Sequence, residues 1–226
     1  MDKVVFFDID DTLVDTSRFA KLARQAAIIA MVDNGLPLSN EEGYKLLKEI
    51  VSQKGSNYDK HFNVLTKTVL GYEDYKLIAT GMITYHNVKF ALLRPFPRIN
   101  ETLMHLKTKG YKLAVISNGV TIKQWEKLVR MNLHHYFDKI TTSEEIGFEK
   151  PNERIFKEAL SSMNCSAEKS IMVGNKLKED AMGGVNAGMS SILVNSNITE
   201  KEKQQIIDED INITILDSVN KVDSIL

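Results

Sequence analysis

Residues 4–17, VVFFDIDDTLVDTS, decide the fold, because an apolar run here leads directly into three carboxylates. A short run that is apolar on both faces is typical of a strand in a parallel sheet with helices on both sides. Asp8, Asp10 and Asp11 follow that run. Carboxylates gathered at a strand end repel one another unless positive charge lies beside them. The stretch therefore predicts a buried strand that ends at a cation site, with a plain turn built of aspartates as the alternative.

Similar apolar runs recur along the chain and alternate with helical patterns. The runs cover residues 3–8, 111–117, 169–174, 190–195 and 211–216. Between them, residues 101–110 space Leu103 and Leu106 three apart and end on Gly110, as an amphipathic helix does. Trp125, in the helical pattern after the second run, is predicted to pack in the core. This alternation predicts the α/β class, with a doubly wound parallel sheet.

Residues 16–92 interrupt this alternation. They contain four helical patterns and no strand-like run, and Ser39 followed by Glu42 is the signature of a capping box at a helix N-terminus. We therefore predict two domains. Residues 1–15 and 93–226 form an α/β core, and residues 16–92 form a second, all-α domain.

The composition limits the partners of the protein. Among its 226 residues, 29 Lys and Arg balance 30 Asp and Glu, so the charge predicts no nucleic-acid partner. No apolar segment is long enough to cross a membrane, and the N-terminus has no signal-peptide pattern. The single cysteine, Cys165, cannot form an internal disulfide, which fits a reducing compartment. We expect a cytoplasmic protein with a small-molecule partner, either a monomer or a homodimer.

Two further strand ends carry groups that suit an anion. Ser117, Asn118 and Gly119 follow the second apolar run and offer a hydroxyl and backbone N–H groups. Lys150 precedes a predicted helix N-terminus, where its charge and the helix dipole both favour phosphate. A lysine in that position is also common on solvated surfaces. The prediction therefore depends on the order of these groups, each at a strand end.

Oxygen ligands for a cation lie at two predicted strand ends. Asp8 and Asp10 follow the first apolar run, and Asn175 and Asp180 follow the run that ends at Gly174. In a doubly wound sheet, ligands bind where the carboxyl ends of the strands meet. Because hard oxygen ligands suit Mg²⁺, we predict that these four residues form a Mg²⁺ site.

In this order, the motifs resemble those of the haloacid dehalogenase-like (HAD) hydrolase superfamily, and the resemblance extends over the whole chain. DIDDT at residues 8–12 is similar to the first motif, DxDxT, and SNG at residues 117–119 is similar to the second. Lys150 matches the third motif, and GNKLKED at residues 174–180 matches the fourth. Residues 16–92 lie where subfamily I members carry their C1 cap. The resemblance implies a Rossmann-type core, a helical cap and a small phosphorylated metabolite as partner.

The resemblance also implies a role for each residue of the first motif. Asp8 would attack phosphorus as the nucleophile and form an aspartyl-phosphate, while its other oxygen binds Mg²⁺. Asp10 would protonate the leaving alkoxide, then activate water as a carboxylate, and would bind the metal through its backbone carbonyl. Thr12 would hold the loop in shape.

The later motifs would face the transferring phosphoryl group. By the resemblance, Ser117, the Asn118 N–H and Lys150 would stabilise the charge on its oxygens, and Gly119 would belong to the same phosphate site. With these residues, the chain would act as a hydrolase on phosphoric monoesters.

Two positions bear on which reaction of the superfamily is catalysed. Dehalogenases carry a non-acidic residue at the position of Asp10, because a halide needs no proton, so Asp10 favours phosphoester chemistry. Asn175 stands where the family usually has an aspartate that ligates Mg²⁺, and we expect weaker metal binding unless Asp180 compensates. A phosphomutase, a 2-haloacid dehalogenase and a non-catalytic phosphate-binding or signalling protein are the alternatives.

One segment of the predicted cap bears on specificity. A C1 cap closes over the site, which favours small substrates. GSNYDKHFN at residues 55–63 resembles a stretch of archaeal members named glyceraldehyde 3-phosphate phosphatases, and Asn57 and His61 would contact the substrate. The alternative is a polar turn between two helices, with Phe62 in the core of the cap.

Overall fold

The computed structural model describes residues 3–226. The described chain divides into two compact units. The first unit comprises the chain up to Asp15 together with Arg94–Leu226, and the second comprises Thr16–Leu93. Met1 and Asp2, the first two residues of the predicted core domain, lie outside the described residues.

The first unit is built on a sheet of six parallel strands. The strands are β1 (Val4–Phe7), β2 (Lys112–Ser117), β3 (Lys139–Thr142), β4 (Ser170–Gly174), β5 (Ser190–Val194) and β6 (Ile213–Leu216). Their order across the sheet is β3-β2-β1-β4-β5-β6, and all neighbouring strands are parallel. The chain therefore builds outward from β1 in both directions, which places a topological switch point beside β1. The predicted α/β class and doubly wound sheet are confirmed.

Strand β3 is absent from the five apolar runs found in the sequence. Its sequence, KITT, contains one aliphatic residue, Ile140. The strand is specified by its pairing with β2, in which Ala114 is opposite Lys139 and Ser117 is opposite Thr142. Threonine is β-branched and fits a pleated, buried surface, so a strand can form here without a continuous apolar run.

The second unit consists of four helices. They are α1 (Thr16–Asp33), α2 (Asn40–Lys54), α3 (His61–Leu70) and α4 (Tyr75–Leu92). The predicted capping box is present at α2: the Ser39 hydroxyl accepts from the Glu42 N–H, and the Glu42 carboxylate accepts from the Ser39 N–H. All four helices contribute to one apolar core, in which Ile28, Leu47 and Leu65 are buried. None of the described helices has the length and apolar character needed to cross a membrane.

The helices of the first unit fix the groups at the strand ends. They are α5 (Ile99–Thr108), α6 (Thr121–Arg130), α7 (Ser143–Ile146), α8 (Glu153–Ser162), α9 (Gly183–Asn186), α10 (Glu200–Asp208) and α11 (Val222–Ile225). Phe156 and Ala159 of α8 pack in one buried cluster with Phe6, Ile116 and Met172 of the three central strands. This packing holds the start of α8, and the residues just before it, against the sheet.

Candidate active site

The candidate site begins where β1 ends. The Asp8 N–H still donates to the Val173 carbonyl of β4 at 2.9 Å, so Asp8 continues the line of the strand. The chain then turns, with Asp11 in the left-handed region at φ 58° and the Leu13 N–H donating to the Ile9 carbonyl at 2.9 Å. This turn, the Asp loop (residues 8–13), places its polar groups at the carboxyl end of the sheet.

Lys150 joins the first and fourth motifs. Its ammonium group donates to Asp8 Oδ1 at 2.8 Å, to Asp180 Oδ1 at 2.6 Å and to the Ile116 carbonyl at 2.8 Å. The side chain is only 2% exposed. An ammonium group has three donors, and all three are used here, which offsets the cost of burying the charge. Lys150 is therefore a buried cation in contact with Asp8, rather than a solvated surface lysine.

The electrostatics around Asp8 favour additional positive charge. Burial raises the pKa of Asp8 to about 6, and the charges of Asp180 and Asp10 add to the increase, while Lys150 opposes it. Burial alone would lower the pKa of Lys150, but Asp180 and Asp8 outweigh it and hold that pKa above its ordinary value. One lysine is thus shared between two carboxylates. A further cation beside Asp8 would stabilise its ionised form.

Two hydroxyl groups also approach Asp8. Thr12 Oγ1 lies 3.4 Å from both Asp8 Oδ2 and Asn175 Oδ1, and its single O–H can donate to either one, which links the Asp loop to the fourth motif. Ser117 Oγ donates to Asp8 Oδ1 at 3.3 Å. Asp8 and Thr12 of the first motif, Ser117 of the second and Asn175 of the fourth therefore lie together.

Asn118 and Gly119 fix the loop after β2. The Asn118 side-chain amide pairs with the backbone of Lys150, accepting from its N–H at 2.7 Å and donating to its carbonyl at 3.1 Å. The Gly119 N–H, predicted to serve an anion site, donates to Ser143 Oγ at 2.8 Å. The structure thus gives these two groups partners within the protein. A role of Gly119 in phosphate binding stays a prediction.

Asp180 is placed by a close approach to β4. Its Oδ1 accepts from Lys150, and its Oδ2 accepts from the Lys176 N–H at 2.9 Å. A Cβ atom added at Gly174 would lie 2.4 Å from this carboxylate, so the position requires glycine. The π-helical turn Leu177–Met182 carries the aspartate back onto the end of the strand.

The predicted Mg²⁺ ligands form an all-oxygen donor set. Within residues 3–226, no group of three or more His, Cys, Asp or Glu side chains is arranged to hold a metal ion. The predicted set does not require one, since it combines the carboxylates of Asp8 and Asp180 with the Asn175 amide oxygen and the Asp10 backbone carbonyl. Hard oxygen donors beside a carboxylate that favours extra positive charge fit Mg²⁺ in their chemistry.

Asp10 has its own pair of partners, which the sequence analysis missed. Lys127 Nζ lies 2.5 Å from Asp10 Oδ1, and Gln124 Nε2 donates to Asp10 Oδ2 at 3.1 Å. Both residues lie on the buried side of α6. The prediction that Trp125 packs in the core is wrong, because its side chain is 39% exposed, and Ile122 is more exposed still. The buried side of the helix therefore combines Leu128 with the polar residues Gln124 and Lys127, and Trp125 lies outside it.

The two predicted residues of the second unit lie near the start of α3, whose first residue is His61. His61 Nε2 is 2.9 Å from the Gly55 carbonyl oxygen, and its ring meets the Tyr58 ring edge to face at 5.4 Å between centroids. Phe62 is buried in the core of the helical unit. Asn57 lies in the turn between α2 and α3. Contact of Asn57 or His61 with a substrate stays a prediction.

The sheet order and the groups at its strand ends define a class: a doubly wound α/β protein with a charged site at its switch point. A family model described as haloacid dehalogenase-like hydrolase matches residues 5–194. The chain therefore belongs to the haloacid dehalogenase-like hydrolases, as its motifs predicted.

Two relatives match nearly the whole chain. The glyceraldehyde 3-phosphate phosphatase of Methanothermobacter thermautotrophicus is 64% identical over 224 residues, covering 99% of this chain and 99% of the relative. The protein of the same name from Methanocaldococcus jannaschii is 46% identical over 213 residues, covering 94% and 93%. Among solved structures, a HAD phosphatase from Thermococcus onnurineus has a TM-score of 0.67 at 22% identity, covering 99% of this chain and 97% of that chain. At that identity, the likeness shows a common fold.

Proposed function

We propose that this hydrolase is a Mg²⁺-dependent phosphatase that cleaves a small phosphomonoester through an aspartyl-phosphate, with glyceraldehyde 3-phosphate as its substrate. One observation carries the proposal: Asp8 and Asp10 lie two residues apart, yet each is held by a different lysine. Two carboxylates in different surroundings can act as nucleophile and as acid and base in one reaction. The names of the two relatives support the choice of substrate.

The proposed reaction has two steps, in which Asp8 is the nucleophile and Asp10 is the acid and then the base. An oxygen of Asp8 forms a bond to phosphorus while the bond to the leaving oxygen breaks, and Asp10 gives its proton to that oxygen. Asp10, now a carboxylate, takes a proton from the water that attacks the aspartyl-phosphate. Phosphate leaves, and both aspartates return to their starting states.

The remaining groups would orient Asp8 and offset charge. Lys150 and Ser117 hold Asp8 Oδ1, and Thr12 approaches Oδ2. Mg²⁺, held by Asp8, Asp180, the Asn175 amide and the Asp10 carbonyl, would neutralise charge on the transferring phosphoryl group. We further propose that the enzyme acts in the cytoplasm, and that the helical unit serves as a cap whose Asn57 and His61 contact the substrate.

The first experiment measures release of phosphate from glyceraldehyde 3-phosphate and 4-nitrophenyl phosphate, with Mg²⁺ and with a chelator. Asp8→Asn and Asp10→Asn are compared with the wild type. The proposal expects Mg²⁺-dependent turnover that falls by several orders of magnitude in Asp8→Asn. A wild-type protein that binds phosphate without turnover would instead support the non-catalytic alternative, for which the amide of Asn175 is the motivating observation. Halide release from a 2-haloacid would support a dehalogenase.

A further inference from the structure

Helix α6 buries two polar residues beside Leu128 and exposes three of its apolar residues. Lys127 and Gln124 are buried, whereas Ile122, Trp125 and Val129 of the same helix are exposed. Exposing apolar side chains while burying an amine and an amide is unfavourable for folding alone. The arrangement is therefore costly unless the buried polar groups have specific partners.

The partners of both residues converge on Asp10. Lys127 Nζ contacts Asp10 Oδ1, and Gln124 Nε2 donates to Asp10 Oδ2, so both oxygens of the carboxylate are held. We propose that Lys127 and Gln124 are positioning residues, which hold the Asp10 carboxyl group where it exchanges a proton with the leaving group. This inference rests on the proposed phosphatase function and adds two residues to it.

Gln124 ties Asp10 to the part of the site that contacts Asp8. Its Nε2 also lies 3.1 Å from Ser117 Oγ and donates to the Asn118 carbonyl at 2.9 Å. The opposite amide orientation would place Oε1 against the Asp10 carboxylate and this carbonyl, so only the observed one suits the acceptors. Gln124 Oε1 is buried, and no residue within 3–226 forms a hydrogen bond with it. The contacts of this side chain to Asp10, Ser117 and Asn118 are all made by its nitrogen.

These contacts leave room for the proton that Asp10 has to carry. Each carboxyl oxygen has two lone-pair sites, so a proton on Oδ2 is compatible with Gln124 on the same oxygen and Lys127 on the other. When Asp10 gives that proton to the leaving oxygen, the bond from phosphorus to that oxygen breaks and its electrons stay on the oxygen. Lys127 Nζ lies beside the carboxylate that remains.

The test compares leaving groups, because a positioned acid matters most when the leaving oxygen is basic. The variants are Lys127→Met and Gln124→Met, with Arg130→Met as the matched control, since Arg130 is exposed at the end of the same helix. The measurement is kcat/KM with Mg²⁺ for 4-nitrophenyl phosphate, phenyl phosphate and an alkyl phosphate. We expect both variants to lose about 100-fold or more on the alkyl ester and about tenfold or less on the nitrophenyl ester. Arg130→Met should match the wild type throughout.

Each outcome supports or overturns the inference. Thermal unfolding first establishes that each variant is folded, and Gln124→Met tests the contact independently if Lys127→Met does not fold. An equal loss across all three esters, or no loss, would overturn the positioning role. Absence of wild-type hydrolysis would overturn the proposed function and, with it, this inference. Because the wild type is measured alongside, the two failures are distinguishable.

Discussion

The two units of the chain treat buried charge in opposite ways. Among its described residues, the first unit buries four charged side chains within the candidate site: Asp8, Lys127, Lys150 and Asp180. Throughout Thr16–Leu93, by contrast, the buried residues are apolar or glycine apart from Thr66. The comparison teaches where each unit gains its order. Both units have an apolar core, and only the first adds buried charges, which lie together at its candidate site.

The largest expected effect is the loss of the shared cation, by Lys150→Met. This change leaves Asp8 and Asp180 buried without their partner, so the free energy of unfolding should fall by about 3–5 kcal/mol. Phosphatase activity should be lost in the protein that remains folded. Denaturant unfolding and hydrolysis of 4-nitrophenyl phosphate measure the two effects. The control is Lys157→Met, because Lys157 pairs with Glu153 on the surface. This substitution should lower the free energy of unfolding by less than about 1 kcal/mol. Equal losses in the free energy of unfolding for Lys150→Met and Lys157→Met would contradict the claim that the buried charges of the first unit stabilise it.

Truncating an apolar core residue of the second unit should lower stability without changing the Mg²⁺ dependence of hydrolysis. Leu65 is fully buried, and Leu65→Ala should lower the free energy of unfolding by about 2–5 kcal/mol. At a temperature where the variant stays folded, hydrolysis should keep its dependence on Mg²⁺. Leu92 is exposed in the same unit, so Leu92→Ala is the control and should unfold like the wild type. A changed Mg²⁺ requirement in Leu65→Ala would show that the second unit shapes the metal site.

Asn175→Asp sharpens the account of charge in the first unit. It restores the acidic ligand that the family usually carries, so we expect the Mg²⁺ concentration for half-maximal rate to fall by about tenfold. A Mg²⁺ titration of the initial rate measures this. Asn164→Asp adds the same charge at an exposed position and should leave the titration unchanged. An unchanged or higher Mg²⁺ requirement in Asn175→Asp would refute the assignment of Asn175 as a ligand.

The smallest expected effect lies in the turn of the second unit. If His61 contacts the substrate through one hydrogen bond, His61→Ala should raise KM for glyceraldehyde 3-phosphate about fivefold and leave kcat unchanged. His135, exposed in the first unit, provides the control substitution His135→Ala. Kinetic constants that match the wild type would remove His61 from the specificity residues and favour a plain turn.

Much of the fold and part of the site follow from the sequence. Continuous apolar runs mark strands because a parallel sheet is buried on both faces, and residues just after such runs meet at one edge. The positions of Asp8, Ser117 and Asn175 just after such runs are therefore sufficient to predict that they lie together. Lys150 and Asp180 follow no run so closely, and the family motifs were needed to assign them to the same site. Strand β3 is not predicted by this rule, because its sequence is short and threonine-rich and its strand structure depends on pairing with β2.

The contacts of Lys127 and Gln124 with Asp10 could not be predicted from the sequence, for a different physical reason. Helical periodicity assigns the apolar side of a helix to the core, and on α6 that rule selects Trp125, which is exposed. Leu128 of the same helix is buried as the rule expects. Gln124 and Lys127 are buried beside it because Asp10, a residue far away in sequence, supplies their polar partner. A pattern confined to one helix carries no information about such a partner.

Direct detection of the aspartyl-phosphate tests the central claim most sharply. Asp10→Asn removes the group that activates water, so incubation with Mg²⁺ and 4-nitrophenyl phosphate should leave a phosphoryl group on the protein. Mass spectrometry of the intact variant, followed by borohydride reduction and peptide mapping, locates it. The account predicts a phosphoryl group on Asp8, and none in Asp8→Asn. A phosphoryl group on another residue, or steady hydrolysis by Asp8→Asn, would contradict it.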